Sequence, residues 1–137
     1  MGKLGSEQLA WLADDVKGLS ASTPIVVFAH IPLWTVHQAW GWGTQDSERV
    51  LEMLRRFGSV TVLNGHIHQI MQKVEGHVTF HTARSTAFPQ GTPGVAPTAG
   101  PLRDVPPGRL RSLIGVTRVQ YVERNNSLAI TDDTLSA

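Results

Sequence analysis

Two short apolar runs constrain this chain more than any other feature: Ile25-Val26-Val27-Phe28 and Val60-Thr61-Val62-Leu63. Both are rich in β-branched residues and neither alternates with polar ones. Runs of that kind read as parallel strands buried on both faces, here over 25–29 and 60–63. Each leads directly into histidine, in Ala29-His30-Ile31-Pro32 and in Asn64-Gly65-His66-Ile67-His68. Open α/β sheets build their sites just beyond the carboxyl ends of such strands. The two motifs therefore deliver three imidazoles to the place where such a sheet works.

The segments between the runs read as helices. From Ser6 to Leu19 the residues Leu9, Leu12, Val16 and Leu19 recur at spacings of three and four, one face of a helix. Ser6 is the expected N-cap, and Gly18 with Thr23-Pro24 marks the exit. Residues 33–46 form a loop rich in Trp and Gly. Asp46 or Ser47 then caps a helix through Val50, Leu51, Leu54 and Phe57, stopped by Gly58. The order is α-β-α-β, a crossover unit whose connection is expected to be right-handed. After His68 the pattern changes. Segments 69–74 and 77–83 alternate and flank Glu75-Gly76, an antiparallel hairpin. Residues 89–108 are dense in Pro and Gly and read as an irregular loop. A last hairpin, about 113–123 and 128–132, turns at Asn125-Asn126. In coarse terms the chain divides into a core with its hairpin over 1–87, a Pro/Gly-rich loop over 88–110 and a terminal hairpin over 111–137.

Composition narrows the chemistry. The chain has 137 residues, one domain's worth, and its net charge is +1. That balance gives no electrostatic case for nucleic acid or an anionic membrane as the main partner. It contains no cysteine, so thiolate ligands and disulfides are excluded. No apolar stretch approaches the ~20 residues of a membrane span. The N-terminal residues lack the apolar core of a signal peptide, so the chain as written reads as soluble and untargeted.

Neutral imidazole is the commonest protein ligand for zinc and similar centres, which makes His30, His66 and His68 the candidate metal ligands. Gly65 allows a sharp turn and close backbone approach. Spacing of i and i+2 puts His66 and His68 on the same side of an extended segment. Three neutral ligands alone favour a single zinc-like ion, whereas a two-metal phosphoryl-transfer site needs carboxylates as well. Asp14, Asp15 and Asp46 belong to helices, and Asp104, Asp132 and Asp133 fall in late loops or strand ends. None is placed by motif beside the histidines.

The stretch Val26-Val27-Phe28-Ala29-His30-Ile31-Pro32-Leu33 and the tetrad Gly65-His66-Ile67-His68 resemble the last two motifs of calcineurin-like metallophosphoesterases. The preceding helix with Gln8-Leu9-Ala10-Trp11-Leu12 and the order of elements match as well, over about residues 4–83. The likeness is to exported bacterial members in particular, which have a Trp-bearing loop after the single-His motif. It implies an α/β/β/α sandwich with mixed sheets, and hydrolysis of a phosphomonoester or phosphodiester by a metal-bridging hydroxide. By the same resemblance His30 and His66 ligate one divalent ion (Mn, Fe or Zn) and His68 the other. The family's Asp-x-His, Gly-Asp and Gly-Asn-His motifs have no counterpart here. The chain is thus expected to be a C-terminal part, holding at most one ion alone and weak or inactive in isolation. Relatives suggest export, but the compartment is not legible in these residues.

Other residues carry two readings each. Trp34, Trp40 and Trp42 line a substrate's organic moiety or anchor a long loop, and His37 faces substrate or takes a solvated loop position. Arg84 reaches a phosphate with its guanidinium fork or makes a surface ion pair. His81 is expected to be structural, and Asn64 to serve turn geometry. For the whole chain the alternative to an enzyme is a non-catalytic metal-binding or interaction domain. The two apolar strands expect cover on both faces and neighbours on both edges, so self-association or a missing N-terminal half is the expected partner.

Overall fold

The computed structural model of the chain describes residues 1–125 and 127–136. It is mixed α/β, with a mixed four-stranded sheet and a separate two-stranded antiparallel sheet. The chain divides into two compact units, Met1–His66 with Gln72–His81 and Ile67–Met71 with Thr82–Ala137.

The first unit holds helix α1 (Gly5–Val16), strand β1 (Ile25–Phe28), helix α2 (Ser47–Leu54), strand β2 (Val60–Asn64) and the hairpin β3 (Gln72–Glu75) and β4 (Val78–Thr82). β1 and β2 pair in parallel, Ile25 opposite Val60 and Phe28 opposite Leu63, as the two apolar runs predict. The expected hairpin also forms, with Glu75 opposite Val78 and Gly76 at φ 60°, a left-handed turn position that glycine adopts without strain. Strand order is β1-β2-β4-β3, so the second hairpin strand lies against β2 and the first lies outside it.

That order makes β1 an edge, and here the expectation of burial on both faces is corrected. β2 is buried along nearly its whole length, and Val62 has no exposed surface. β1 instead alternates, with Val26 38% and Phe28 78% exposed. The core lies on its other face, where half-buried Ile25 and Val27 pack against a cluster that includes Leu9, Val16, Leu33, Val50, Leu54, Phe57, Val60, Val62 and Phe80.

Both helices follow their 3.6-residue periodicity, but neither is capped by the side chain expected for it. Ser6 does not cap α1, whose N-cap position is Leu4. The Asp46 carboxylate accepts the Leu4 and Gly5 backbone N–H groups at 2.9 Å each, across 41 or more residues of sequence. Those two donors would otherwise be among the orphans of the helix end. Asp46, expected to cap its own helix, makes no side-chain cap bond to α2. Leu19 lies beyond the end of α1 and is exposed.

The second unit contains helix α3 (Pro107–Leu113) and the strands β5 (Gly115–Val122) and β6 (Ser127–Thr134), paired antiparallel from Gly115 opposite Thr134 to Val122 opposite Ser127. The terminal hairpin is thus as expected. Asn126, half of its expected turn, lies outside the described residues. The helix α3 was not anticipated, because Pro106-Pro107-Gly108 reads as a breaker. Proline costs nothing at the first helical position, and Pro107 sits in that first turn. The Pro/Gly loop before it is closed at its base: Gly91 donates to Gly100 and Leu102 to Pro89.

Candidate functional site

Parallel pairing of β1 and β2 brings their carboxyl ends together, and with them His30 and His66. The Ala29 N–H donates to the Leu63 carbonyl at 3.1 Å, and the Gly65 N–H donates to the His30 carbonyl at 3.0 Å. The two imidazole rings meet edge to face with centroids 5.4 Å apart and planes at 80°. The His30 ring lies against the turn, where a Cβ on residue 65 would stand 3.4 Å from its Nδ1, an ordinary contact distance. His30 is exposed and His66 half-buried.

The turn itself departs from the extended segment expected of it. β2 ends at Asn64, and His66 and His68 take φ values of 62° and 55°, the left-handed region. Non-glycine residues seldom occupy it, and they do so where surrounding structure over-determines the backbone, often at functional sites. The i, i+2 rule for strands therefore does not govern this pair. His68 lies in the second unit. Its Nδ1–H donates to the Phe88 carbonyl at 2.8 Å, and its ring packs on the Phe88 ring at 4.5 Å. A carbonyl can only accept, so this bond fixes the tautomer and leaves Nε2 as the nitrogen able to act as a ligand. Thr82, fully buried, fastens the same segment: its hydroxyl accepts the Met71 N–H at 2.7 Å and donates to the Gln69 carbonyl.

Asn64 proves to do more than satisfy a turn. It is 6% exposed, and its Nδ2 donates to the Ala29 carbonyl at 2.6 Å and to the Ile31 carbonyl at 3.4 Å. Those carbonyls flank His30. An acid or amide at a strand end beside a histidine motif is the only sequence signal for this role, and it is a weak one.

The other candidates fall into packing roles or local bonds. Trp42 is 2% exposed and meets Trp40 edge to face at 5.0 Å. Trp34 stacks on Phe80 at 5.0 Å. Both favour the anchoring reading of the Trp loop. His37 lies on Trp40 with its Nδ1 buried and without a described hydrogen-bond partner. The Arg84 guanidinium donates to the Ser112 carbonyl at 2.9 Å rather than to a carboxylate. His81 is a core residue whose Nδ1 accepts from Gln72 Nε2. Beside His30 runs a cleft of about 390 Å³ between α1 and β1, walled by Leu9, Trp11, Leu12, Val27 and Phe28. No carboxylate is among its lining residues.

As a metal site the arrangement is a partial fit. His30 and His66 supply two imidazoles at one place, a chemically suitable pair of donors. Among the described residues, however, no group of three or more His, Cys, Asp or Glu stands where it could hold a metal ion. Three of the aspartates that the sequence offers are engaged elsewhere: Asp46 with the start of α1, Asp132 with the Thr117 hydroxyl, and Asp133 with Arg118. Among the described residues no helix is long and apolar enough to cross a membrane. No protein-family model matches the sequence, and no curated protein matches it.

Proposed function

We propose that this chain carries the histidine-bearing part of a metal-dependent phosphoesterase of the calcineurin-like kind, within a fuller α/β/β/α sandwich. The observation that carries the reading is the meeting of His30 and His66 at the carboxyl ends of two adjacent parallel strands, with the second held in a left-handed turn. Sheets of this type put their chemistry at such ends. A strained turn at a histidine is the kind of local cost that persists where geometry serves a site. The fixed tautomer of His68 adds support, since a ligand imidazole ordinarily donates its other N–H to a carbonyl.

The reaction proposed is hydrolysis of a phosphate ester by a hydroxide bridging two divalent ions, with both ions stabilising the charge that develops on phosphorus. Two imidazoles do not complete such a centre, and the missing donors must be carboxylates to offset the charge of two cations. Another polypeptide segment supplies them in this proposal, so the chain alone binds at most one ion and is weak or inactive as a catalyst.

The second reading is a non-catalytic metal-binding or interaction domain that keeps the histidine pair without the rest of a dimetal centre. Mn²⁺-dependent hydrolysis of a chromogenic phosphodiester by the purified chain, measured beside His66→Ala, separates the two. Activity that disappears in His66→Ala supports an enzyme that recruits its missing ligands. A folded chain that binds Mn²⁺ or Zn²⁺ through His66 yet hydrolyses nothing is what both readings expect of the chain by itself. Hydrolysis that then appears on adding a polypeptide carrying the missing carboxylate motifs supports the enzyme, and none supports the binding domain. A folded chain whose metal binding is unchanged by His66→Ala overturns the enzyme and the metal-binding domain alike, and leaves only an interaction domain.

A further inference from the structure

We propose that Asn64 is a positioning residue for the histidine pair, acting through the backbone of the neighbouring strand. This rests on His30 and His66 being the pair that matters in the hydrolase reading. Asn64 occupies the last position of β2, directly before Gly65-His66, so its own main chain sets where His66 begins. Its side chain crosses to the end of β1 and grips the carbonyls on either side of His30, Ala29 at 2.6 Å and Ile31 at 3.4 Å. One residue is thereby bonded to both motifs.

A strand-end asparagine that merely satisfied its own turn would bond locally. This one spans 35 residues to Ala29 and 33 to Ile31. Both acceptors are carbonyls, which only the NH2 end of the amide can serve, so the orientation of the side chain is unambiguous. Its Oδ1 is buried with no hydrogen-bond partner among the described residues. Buried polar atoms are rarely left so, and the residue's place is better explained by what its Nδ2 holds than by its own satisfaction. The bonds add a side-chain hold on either side of His30, whose own carbonyl is tied to the second motif by the Gly65 N–H. The ring arrangement at 5.4 Å and 80° is the result.

The test uses the full chain with Asn64→Ser, too short to reach both carbonyls. Thermal melts establish that the variant folds. The first readout is the nuclear Overhauser contact between the His30 and His66 rings, which a purely structural role would not move. It is expected to be strong in the parent chain and lost or weakened in Asn64→Ser. The second is Zn²⁺ affinity by calorimetry, expected to fall about 10- to 100-fold, as for other groups that orient ligands. A folded Asn64→Ser that keeps the ring contact overturns the proposal. If the parent chain shows the ring contact but His30→Ala leaves its Zn²⁺ affinity unchanged, the metal reading fails while the positioning role is still decided by the ring contact. Should Asn64→Ser not fold, Asn64→Gln, which moves the NH2 outward by one methylene, carries the same measurements with the same two outcomes.

Discussion

β1 and β2 are close to the same sequence object, four or five mostly apolar residues ending in a histidine motif, yet they live in different surroundings. β2 has β1 on one side and β4 on the other, and core on its faces; Val62 is wholly buried. β1 has one neighbour, and Phe28 projects 78% into solvent. The difference shows that an apolar run specifies an extended backbone and a demand for cover, while the supply of cover comes from elsewhere in the fold. An edge strand with an apolar outer face is a template for another chain, and natural proteins usually blunt it with charge or proline. β1 has neither within Ile25–Phe28.

A matched pair of valines gives the hardest test of that difference. Val62→Asp buries an unpaired carboxylate, a cost of several kcal/mol set against a total stability of about 5–15 kcal/mol, and is expected to abolish the folded state. Val26, 38% exposed, can turn an aspartate toward water, and Val26→Asp is expected to cost only about 1 kcal/mol. Urea unfolding followed by circular dichroism compares them, and equal losses would dissolve the distinction between the strands.

Phenylalanines sharpen it at the next size of effect. Phe80→Ala on β4 is expected to cost about 3–5 kcal/mol, because Phe80 is fully buried and leaves a cavity. Phe28→Ser is expected to leave stability nearly unchanged while reducing self-association in light scattering. A parent chain that is already a sharp monomer peak, unaltered by Phe28→Ser, would mean the open face of β1 recruits nothing.

The smallest effect concerns the helix beside β1. The Leu4 and Gly5 amides hold the Asp46 carboxyl below its ordinary range. The charged form is therefore favoured by folding, and the stability it contributes is present above about pH 4. That contribution is lost as pH falls through the lowered folded value. Asp46→Asn keeps an acceptor oxygen but no titrating group, so its melting temperature is expected to be slightly lower near neutrality and to fall less between pH 4.5 and 2.5. Parallel curves for the two proteins would assign the acid sensitivity to other groups.

Local features were legible in the residues. The periodicity of Leu9, Leu12 and Val16 made α1, the β-branched runs made two strands, Glu75-Gly76 made a hairpin, and His30 and His66 were placed at strand ends. Each depends on neighbours within a few positions, where propensity and pattern act. The rest was settled by partners far along the chain. Asp46 caps the helix 41 residues before it, a choice invisible from its own helix. β4 takes the place beside β2, which leaves β1 on the edge. His66 and His68 take left-handed backbone angles that no strand periodicity foretells. Asn64 reaches the carbonyls around His30 only once the two strands lie in register. By itself the sequence determined which segments extend, which coil and where the imidazoles fall, because those follow from short-range sterics and burial period. The tertiary structure alone decided which strand stays open and how the imidazoles are aimed, because hydrogen-bond partners and packing neighbours are chosen across distances that no local pattern records.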